Sequence, residues 1–195
     1  MVTHKVFVSY YHNSDQKFAN EFRDFYGTNN ALIDRSLPDE IDSNDDDYVL
    51  QQIRSKHLRD STVTVVLIGR DTWSRKWVDW EIYSSLRPYG ARTVNGLLGI
   101  SLPGGALPPR FEDNYREEEL FGRLVQTGYA KLVHWSDVEP PVLWRLWPDS
   151  DEVRRRRDYL RAWVHRAFEN RFKTNLIVNS RQRFKRNRPV NPHWW

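Results

Sequence analysis

The stretch Val63 to Leu86, VTVVLIGRDTWSRKWVDWEIYSSL, decides the fold. It begins with an almost unbroken apolar and β-branched run, Val63 to Ile68, which is typical of a strand covered on both faces in the middle of a parallel sheet. After a short polar break the spacing becomes helical, because Val78, Ile82 and Leu86 fall on one stripe. The stretch therefore predicts a strand, a loop and an amphipathic helix.

The same change from strand to helix recurs along the chain. Further strands are predicted at Lys5–Ser9, Ala31–Asp34, Val94–Ile100 and Tyr129–Trp135, and further helices at Asp15–Tyr26, 43–58 and Asp151–Arg171. Ser14 is the predicted N-cap of the first helix, and the last strand is expected near an edge. Repeated alternation predicts right-handed crossovers. The expected fold is α/β and flavodoxin-like: a doubly wound, five-stranded, mainly parallel sheet with helices on both faces.

Length and composition narrow the class of protein. A chain of 195 residues with nine Trp is long and aromatic enough for one well-buried core. The absence of cysteine excludes disulfides, thiol nucleophiles and thiolate metal sites. The six histidines show no metal-ligand spacing, so no metal site is expected. No run is long enough for a membrane span or a signal peptide, which predicts a cytoplasmic protein without a membrane partner.

Two regions stand apart from the α/β pattern. Residues 1–171 are predicted as the domain, with an insertion at about 101–128 and a C-terminal helix at about 151–171. Residues 172–195 are predicted as a basic, aromatic tail. Charge follows this division, since residues 151–195 hold 13 Lys and Arg against 4 Asp and Glu. The Arg154–Arg157 run is expected to face water. The tail could bind nucleic acid, but without a recognition module this partner is not expected.

The predicted site lies where the carboxyl ends of the strands meet, because a doubly wound sheet binds ligands there. Loops at residues 9–14, 35–42 and 69–77 would converge at this edge, just ahead of Glu81. Trp77 lies one helical turn before Glu81, and Trp80 precedes it directly. A carboxylate at an anomeric carbon can stabilise an oxocarbenium-like transition state or attack covalently. The alternative is a surface glutamate beside half-buried indoles.

Three segments resemble a known family: KVFVSYYHNSDQKFANEF, STVTVVLIG and TWSRKWVDWEI. Over about Lys5–Ile100 they are similar to the TIR-like proteins of bacterial anti-phage defence, especially the ThsB family of Thoeris systems. The resemblance implies the flavodoxin-like fold and, in enzymatic members, cleavage of NAD between nicotinamide and ribose. The catalytic glutamate of such enzymes lies on the helix after the third strand, and the matching position is Glu81. NAD would be the substrate, with no further cofactor.

The resemblance also implies substrate-binding residues, with packing or turn roles as the alternatives. These residues are Ser9, Tyr10 and Tyr11 in the first loop, Trp73 and Trp77 in the pocket wall, and Asp71 near a ribose. The acidic loop at residues 37–42 takes the place of the loop that gates TIR sites and mediates their assembly, but it lacks the glycines found in many of them.

For function, the resemblance implies that a phage-derived trigger starts conversion of NAD into a cyclic ADP-ribose isomer. This diffusible nucleotide would activate a separate effector, and the protein could self-associate. The product could instead be ADP-ribose. A second hypothesis is a non-catalytic TIR-like sensor or adaptor that acts by protein association. A third is a basic nucleic-acid-binding protein with a flavodoxin-like body.

Overall fold

The structure, a computed structural model, describes residues 3–27, 32–34, 45–90, 93–103 and 120–178, with the backbone alone at 32–34, 57, 73 and 120. The strands are β1 (His4–Ser9), β2 (Leu32–Asp34), β3 (Val63–Ile68), β4 (Gly96–Ser101) and β5 (Lys131–His134). The α-helices are α1 (His12–Gly27), α2 (Asp46–Gln52), α3 (Lys76–Ser85), α4 (Leu120–Gln126), α5 (Trp135–Val138) and α6 (Asp151–Asn170). A π-helical turn (Ile53–His57) and 3₁₀ turns (Thr72–Ser74, Thr174–Leu176) complete the elements.

The strands form one sheet in the order β2-β1-β3-β4-β5, and every neighbouring pair is parallel. The central strand β3 is buried at all six positions, as its almost unbroken apolar and β-branched sequence predicts. Val63 lies opposite Val6 of β1 and Gly96 of β4, while Ser9 lies opposite Val66. The predicted α/β class, a parallel sheet flanked by helices, is confirmed, and β5 lies at an edge.

Alternate residues of each strand face opposite sides of the sheet, and the helices divide accordingly. On one side, Val6 and Val8 pack in a cluster with residues of α1, α5 and α6. On the other side, Phe7 packs with α2 and α3, and Val66 packs with α3 and α4. The predicted stripe of α3 is confirmed, because Val78, Ile82 and Leu86 are all buried in this second layer.

Two predicted helix starts are displaced. Helix α1 begins at His12, so Ser14 lies inside the helix and its hydroxyl donates to Oδ1 of Asp15 at 2.8 Å. The prediction that Ser14 is the N-cap is therefore wrong. Asp45 caps α2, since its Oδ1 accepts from the amides of Asp47 at 3.0 Å and Tyr48 at 3.1 Å. Such a cap satisfies amides that have no partner inside the helix.

The prediction that the Arg154–Arg157 run faces water is wrong at its last residue. Arg157 is 5% exposed, and its guanidinium donates to the carbonyl oxygens of Phe25 and Pro148, both at 3.3 Å. Burial lowers the pKa of the Arg157 guanidinium. The physical reason is helical phase: position 157 lies on the same stripe as the buried Val153 and Leu160.

Three regions singled out in the sequence are described only in part or not at all. Most of the predicted insertion, 104–119, and the acidic loop at 37–42 lie outside the described residues, as does the tail from residue 179. Residues Leu176 and Ile177, which the sequence assigns to the tail, pack against the layer that contains α3 and α4.

No helix in the described part of the chain is long and apolar enough to cross a membrane.

Candidate active site

The carboxyl ends of β1 and β3 form the centre of the candidate site. Helix α1 leaves β1 toward one face of the sheet, and α3 leaves β3 toward the other. In a sheet of this strand order, the crevice between two such strands is where ligands bind. Ser9 ends β1 and is 1% exposed, and its hydroxyl donates a 2.5 Å hydrogen bond to Oε2 of the half-buried Glu81. The fold therefore holds the Glu81 carboxylate at this crevice.

A chain of buried hydrogen bonds fixes the helical turn that carries Glu81. The side-chain amide of Asn95 donates to Oγ1 of Thr64 at 3.1 Å, and the hydroxyls of Thr64 and Ser85 lie 2.7 Å apart. Ser85 donates its one proton to the Glu81 carbonyl oxygen at 2.8 Å, so it accepts from Thr64. This chain ties α3 to β3 and limits the positions open to Glu81.

A second set of contacts joins the loop after β3 to the start of α1. The hydroxyl of Thr72 accepts from the amide of Gly69 at 2.9 Å and donates to Oδ2 of Asp15 at 3.2 Å. Asp15 is 4% exposed, and burial raises the pKa of its carboxyl, to which the charge of Asp71 adds. These hydrogen bonds tie the loop after β3 to the first turns of α1.

The two tyrosines after β1 have different environments. Tyr10 is 5% exposed and lies in the core; its hydroxyl donates to Gln16 at 3.2 Å and accepts from Arg23 at 3.3 Å. Tyr11 is partly exposed, and the guanidinium carbon of Arg75 lies 4.1 Å from its ring centroid. Arg75 is the N-cap residue of α3, so Tyr11 connects the first loop to the helix of Glu81. The structure thus places Tyr11 against the start of α3 and Tyr10 in the packing.

The indoles near Glu81 in sequence do not surround it equally. Trp80 is fully buried in the cluster that contains Phe7, and Trp77 packs against the same cluster with partial exposure. Their ring centroids are 6.1 Å apart. Trp80 therefore serves the core, and of these two only Trp77 retains exposed surface. The side chain of Trp73 lies outside the described atoms.

Asp71 is partly exposed, and its described hydrogen bonds come from its backbone. Its carbonyl oxygen accepts from the hydroxyl of Ser74 at 2.8 Å and from the Ser74 amide at 3.1 Å. The alternative that Asp71 belongs to a simple turn accounts for these contacts.

Sequence reasoning missed the residues that support Glu81. Thr64 was the available signal, because it is a polar residue inside an otherwise apolar strand that needs a buried hydrogen-bond partner. The identity of that partner, Ser85, required the tertiary structure. Among the described residues, no group of His, Asp and Glu side chains could hold a metal ion. The arrangement is that of a fixed carboxylate, which can stabilise positive charge on a sugar ring.

Comparisons with known proteins identify a family for residues 7–106. The profile of the family described as Thoeris protein ThsB, TIR-like domain, matches residues 7–106, a range that includes Ser9 and Glu81. No curated protein matches the chain. Among solved structures, the chain is similar to the TIR domains of the activated Roq1 resistosome directly recognizing the pathogen effector XopQ. That likeness has 14% identity and a TM-score of 0.37, and covers 85% of this chain and 84% of the other. Because the family profile spans just over half of the 195 residues, this protein belongs to the ThsB family of TIR-like domains.

Proposed function

We propose that this protein is a cytoplasmic NAD glycohydrolase and ADP-ribosyl cyclase of anti-phage defence. It cleaves the bond between nicotinamide and ribose in NAD, with Glu81 as the catalytic carboxylate. The observation that supports this proposal is the hydrogen bond from Ser9 to Glu81 at the crevice between β1 and β3. The family supports a role in defence, since its profile is that of the Thoeris TIR-like domain.

Cleavage of the bond between nicotinamide and ribose requires one negative charge close to C1′ of the ribose. Nicotinamide leaves C1′ of the ribose with the bonding electron pair, which neutralises its ring and leaves a positive charge on the sugar. The Glu81 carboxylate stabilises that charge electrostatically. A nitrogen of the adenine ring, or a ribose hydroxyl that loses its proton, then attacks C1′ to give a cyclic ADP-ribose isomer. Attack by water with loss of a proton gives ADP-ribose instead. A phage-derived trigger starts the reaction, and the diffusible nucleotide reaches a separate effector.

The neighbours of Glu81 have separate roles in this proposal. Ser9 orients the carboxylate through its 2.5 Å hydrogen bond. Tyr11 and Trp77 offer aromatic surface to the nicotinamide or its ribose. Arg75 and the amino end of α3 supply positive charge, which suits the diphosphate of NAD. Asp71 and Trp73 remain proposed contacts for a ribose and for the pocket wall.

The test compares Glu81→Gln with Glu139→Gln, the same change at an exposed glutamate. Nicotinamide and NAD-derived nucleotides are measured in phage-challenged cells that produce each full-length variant, because enzymes of this kind are expected to be silent until triggered. Glu81→Gln is expected to lower nicotinamide release by about 10²–10³-fold. Glu139→Gln should retain it. Equal release by the native protein and Glu81→Gln would mean that Glu81 is not catalytic.

A second candidate function is a non-catalytic sensor or adaptor that acts by association. The observation in its favour is an exposed apolar segment between α5 and α6. Val142 is 97% exposed, Leu146 72% and Trp147 66%. Large apolar side chains that are exposed close together in the chain often mark interaction surfaces, which suits self-association.

The two candidates make opposite predictions for defence. An adaptor loses protection in the Leu146→Ser, Trp147→Ser double variant and keeps it in Glu81→Gln. An enzyme loses protection in Glu81→Gln. Plaque counts of both variants, together with sedimentation of the purified proteins, separate the candidates.

A further inference from the structure

A groove of about 690 Å³ lies along the edge strand β5, between α4 and α6. Val125, Ala130, Leu132 and Trp163 provide its apolar lining. Lys131, Arg166 and Lys173 line it with positive charge, and Glu169 is the acidic residue of its lining. Its volume falls within the range of small-molecule sites, which combine an apolar lining with a few polar groups.

The charge of the groove favours an anion. Its lining holds three basic side chains and one carboxylate, that of Glu169, whose Oε1 lies 3.6 Å from Nε2 of His165. The guanidinium carbon of Arg166 lies 4.8 Å from the ring centroid of Trp163. A planar indole beside a guanidinium suits an aromatic base that carries phosphate, because the ring can stack on the base and the cation can bind the phosphate.

The walls of the groove are fixed by buried hydrogen bonds. Asn170 is 3% exposed, and its amide donates to the carbonyl oxygens of Gly128 and Tyr129, both at 2.9 Å. Gly128 has φ of 81°, a backbone conformation that favours glycine. Thr127 donates to the carbonyl oxygen of Leu176 at 2.9 Å. These bonds hold α6 against the turn between α4 and β5, so a ligand would meet a preformed surface.

The groove is separate from the site of Glu81. Strands β3 and β4 lie between β1 and β5. Three strand spacings correspond to about 14 Å. None of the residues that line the groove belongs to the candidate active site.

We propose that this groove is a second ligand site that binds a phosphate-bearing nucleotide. The Trp163 ring stacks with the base, while Lys131, Arg166 and Lys173 bind the phosphates. This site is independent of the proposed NAD cleavage at Glu81.

The experiment uses the purified full chain and isothermal titration with ADP, adenosine and pyrophosphate at two salt concentrations. The variants are Lys131→Glu and Arg166→Glu. The matched control is Arg155→Glu, the same charge reversal at an exposed position of α6 outside the groove. Ser9→Ala with Glu81→Gln is titrated in parallel, which separates binding in the groove from binding at the candidate active site. Thermal unfolding checks each variant, and Arg166→Gln replaces any charge reversal that does not fold.

The expected result is that ADP binds more tightly than adenosine or pyrophosphate alone. Each groove variant should lower the affinity for ADP about tenfold, which is the effect of losing one charged hydrogen bond. Arg155→Glu should bind ADP as the native protein does, and the double variant at Ser9 and Glu81 should keep the ADP binding that the groove variants lose. The proposal is overturned if ADP does not bind or if pyrophosphate alone binds as well as ADP. It is also overturned if the groove variants bind ADP like the native protein, or if Arg155→Glu weakens ADP binding as much as they do. Loss of ADP binding in the Ser9 and Glu81 variant alone would overturn it as well.

Discussion

A Cβ atom added to Gly69 would lie 2.2 Å from Oδ1 of Asp15. The chain leaving β3 therefore passes directly against the carboxylate at the start of α1. That carboxylate is held by Thr72 and Ser14 and is almost fully buried, so it has little room to withdraw. Glycine at position 69 is what allows the two loops to border the same crevice.

Replacing Gly69 by alanine should lower the free energy of unfolding by about 1–3 kcal/mol, as for other substitutions that overfill a packed site. Urea denaturation of the purified variant measures this. Gly27→Ala is the control, because a Cβ there meets no atom within 4 Å. If both variants lose the same stability, the contact between Gly69 and Asp15 is not the cause.

Removing the hydroxyl of Ser9 should lower activity without abolishing it. Ser9→Ala leaves Glu81 in place but removes the hydrogen bond to its Oε2. A lost hydrogen bond to a charged group corresponds to a decrease of about tenfold to a hundredfold in nicotinamide release. Release is measured beside that of Ser136→Ala, an exposed serine. A Ser9→Ala protein as active as Ser136→Ala would show that Ser9 does not position Glu81. This prediction depends on the proposed function.

The hydroxyl of Tyr26 should contribute measurably to stability. It donates to the carbonyl oxygen of Val138 at 2.6 Å, and the residue is 1% exposed. Tyr26→Phe leaves that carbonyl without this donor, which should reduce the free energy of unfolding by about 1–2 kcal/mol. Burial raises the pKa of Tyr26, so the hydroxyl stays protonated at neutral pH. The decrease in the free energy of unfolding caused by Tyr26→Phe should therefore be the same at pH 6 and at pH 8. Tyr159→Phe, at a tyrosine that is 40% exposed, should change stability by less than about 0.5 kcal/mol.

Stability should fall on mild acidification because of His4. Burial lowers the pKa of His4 below its ordinary 6.5, and the positive charges of His165 and Arg171 lower it further. Its Nε2 lies 3.0 Å from Nδ1 of His165, and its ring stacks on Phe168. The unfolded chain takes up the proton first as the pH drops below 6.5, so the free energy of unfolding should decrease there.

The measurement is urea denaturation at several pH values between 7.5 and 5. One histidine contributes a slope of at most about 1.4 kcal/mol per pH unit. His4→Phe keeps a ring against Phe168 but removes the titrating group, so its slope should be smaller than that of the native protein. If the slope of the free energy of unfolding against pH were the same in His4→Phe as in the native protein, the pH dependence would come from another group.

How far the sequence predicts this molecule depends on whether a feature is local. The limits of β3, Val63–Ile68, agree with the apolar run, and the buried stripe of α3 agrees with its helical spacing. Both follow from the period of the backbone and the burial of apolar side chains. Helix α1 begins at His12 and not after Ser14, and the Ser14 hydroxyl bonds to the buried carboxylate of Asp15 inside the helix. Arg157 was misjudged, because its partners are carbonyl oxygens that no local pattern reveals.

By itself, then, the sequence determined the alternation of strands and helices, the central position of β3 and the face of α3 that is buried. These follow from apolar periodicity, which needs only neighbours along the chain. The tertiary structure alone decided that the hydroxyl of Ser9 meets the carboxylate of Glu81 across 72 residues, and that Trp80 packs into the core while Trp77 keeps exposed surface. The physical reason is that hydrogen bonds and close packing depend on distances between strands and helices, and those distances are set only when the whole sheet has assembled.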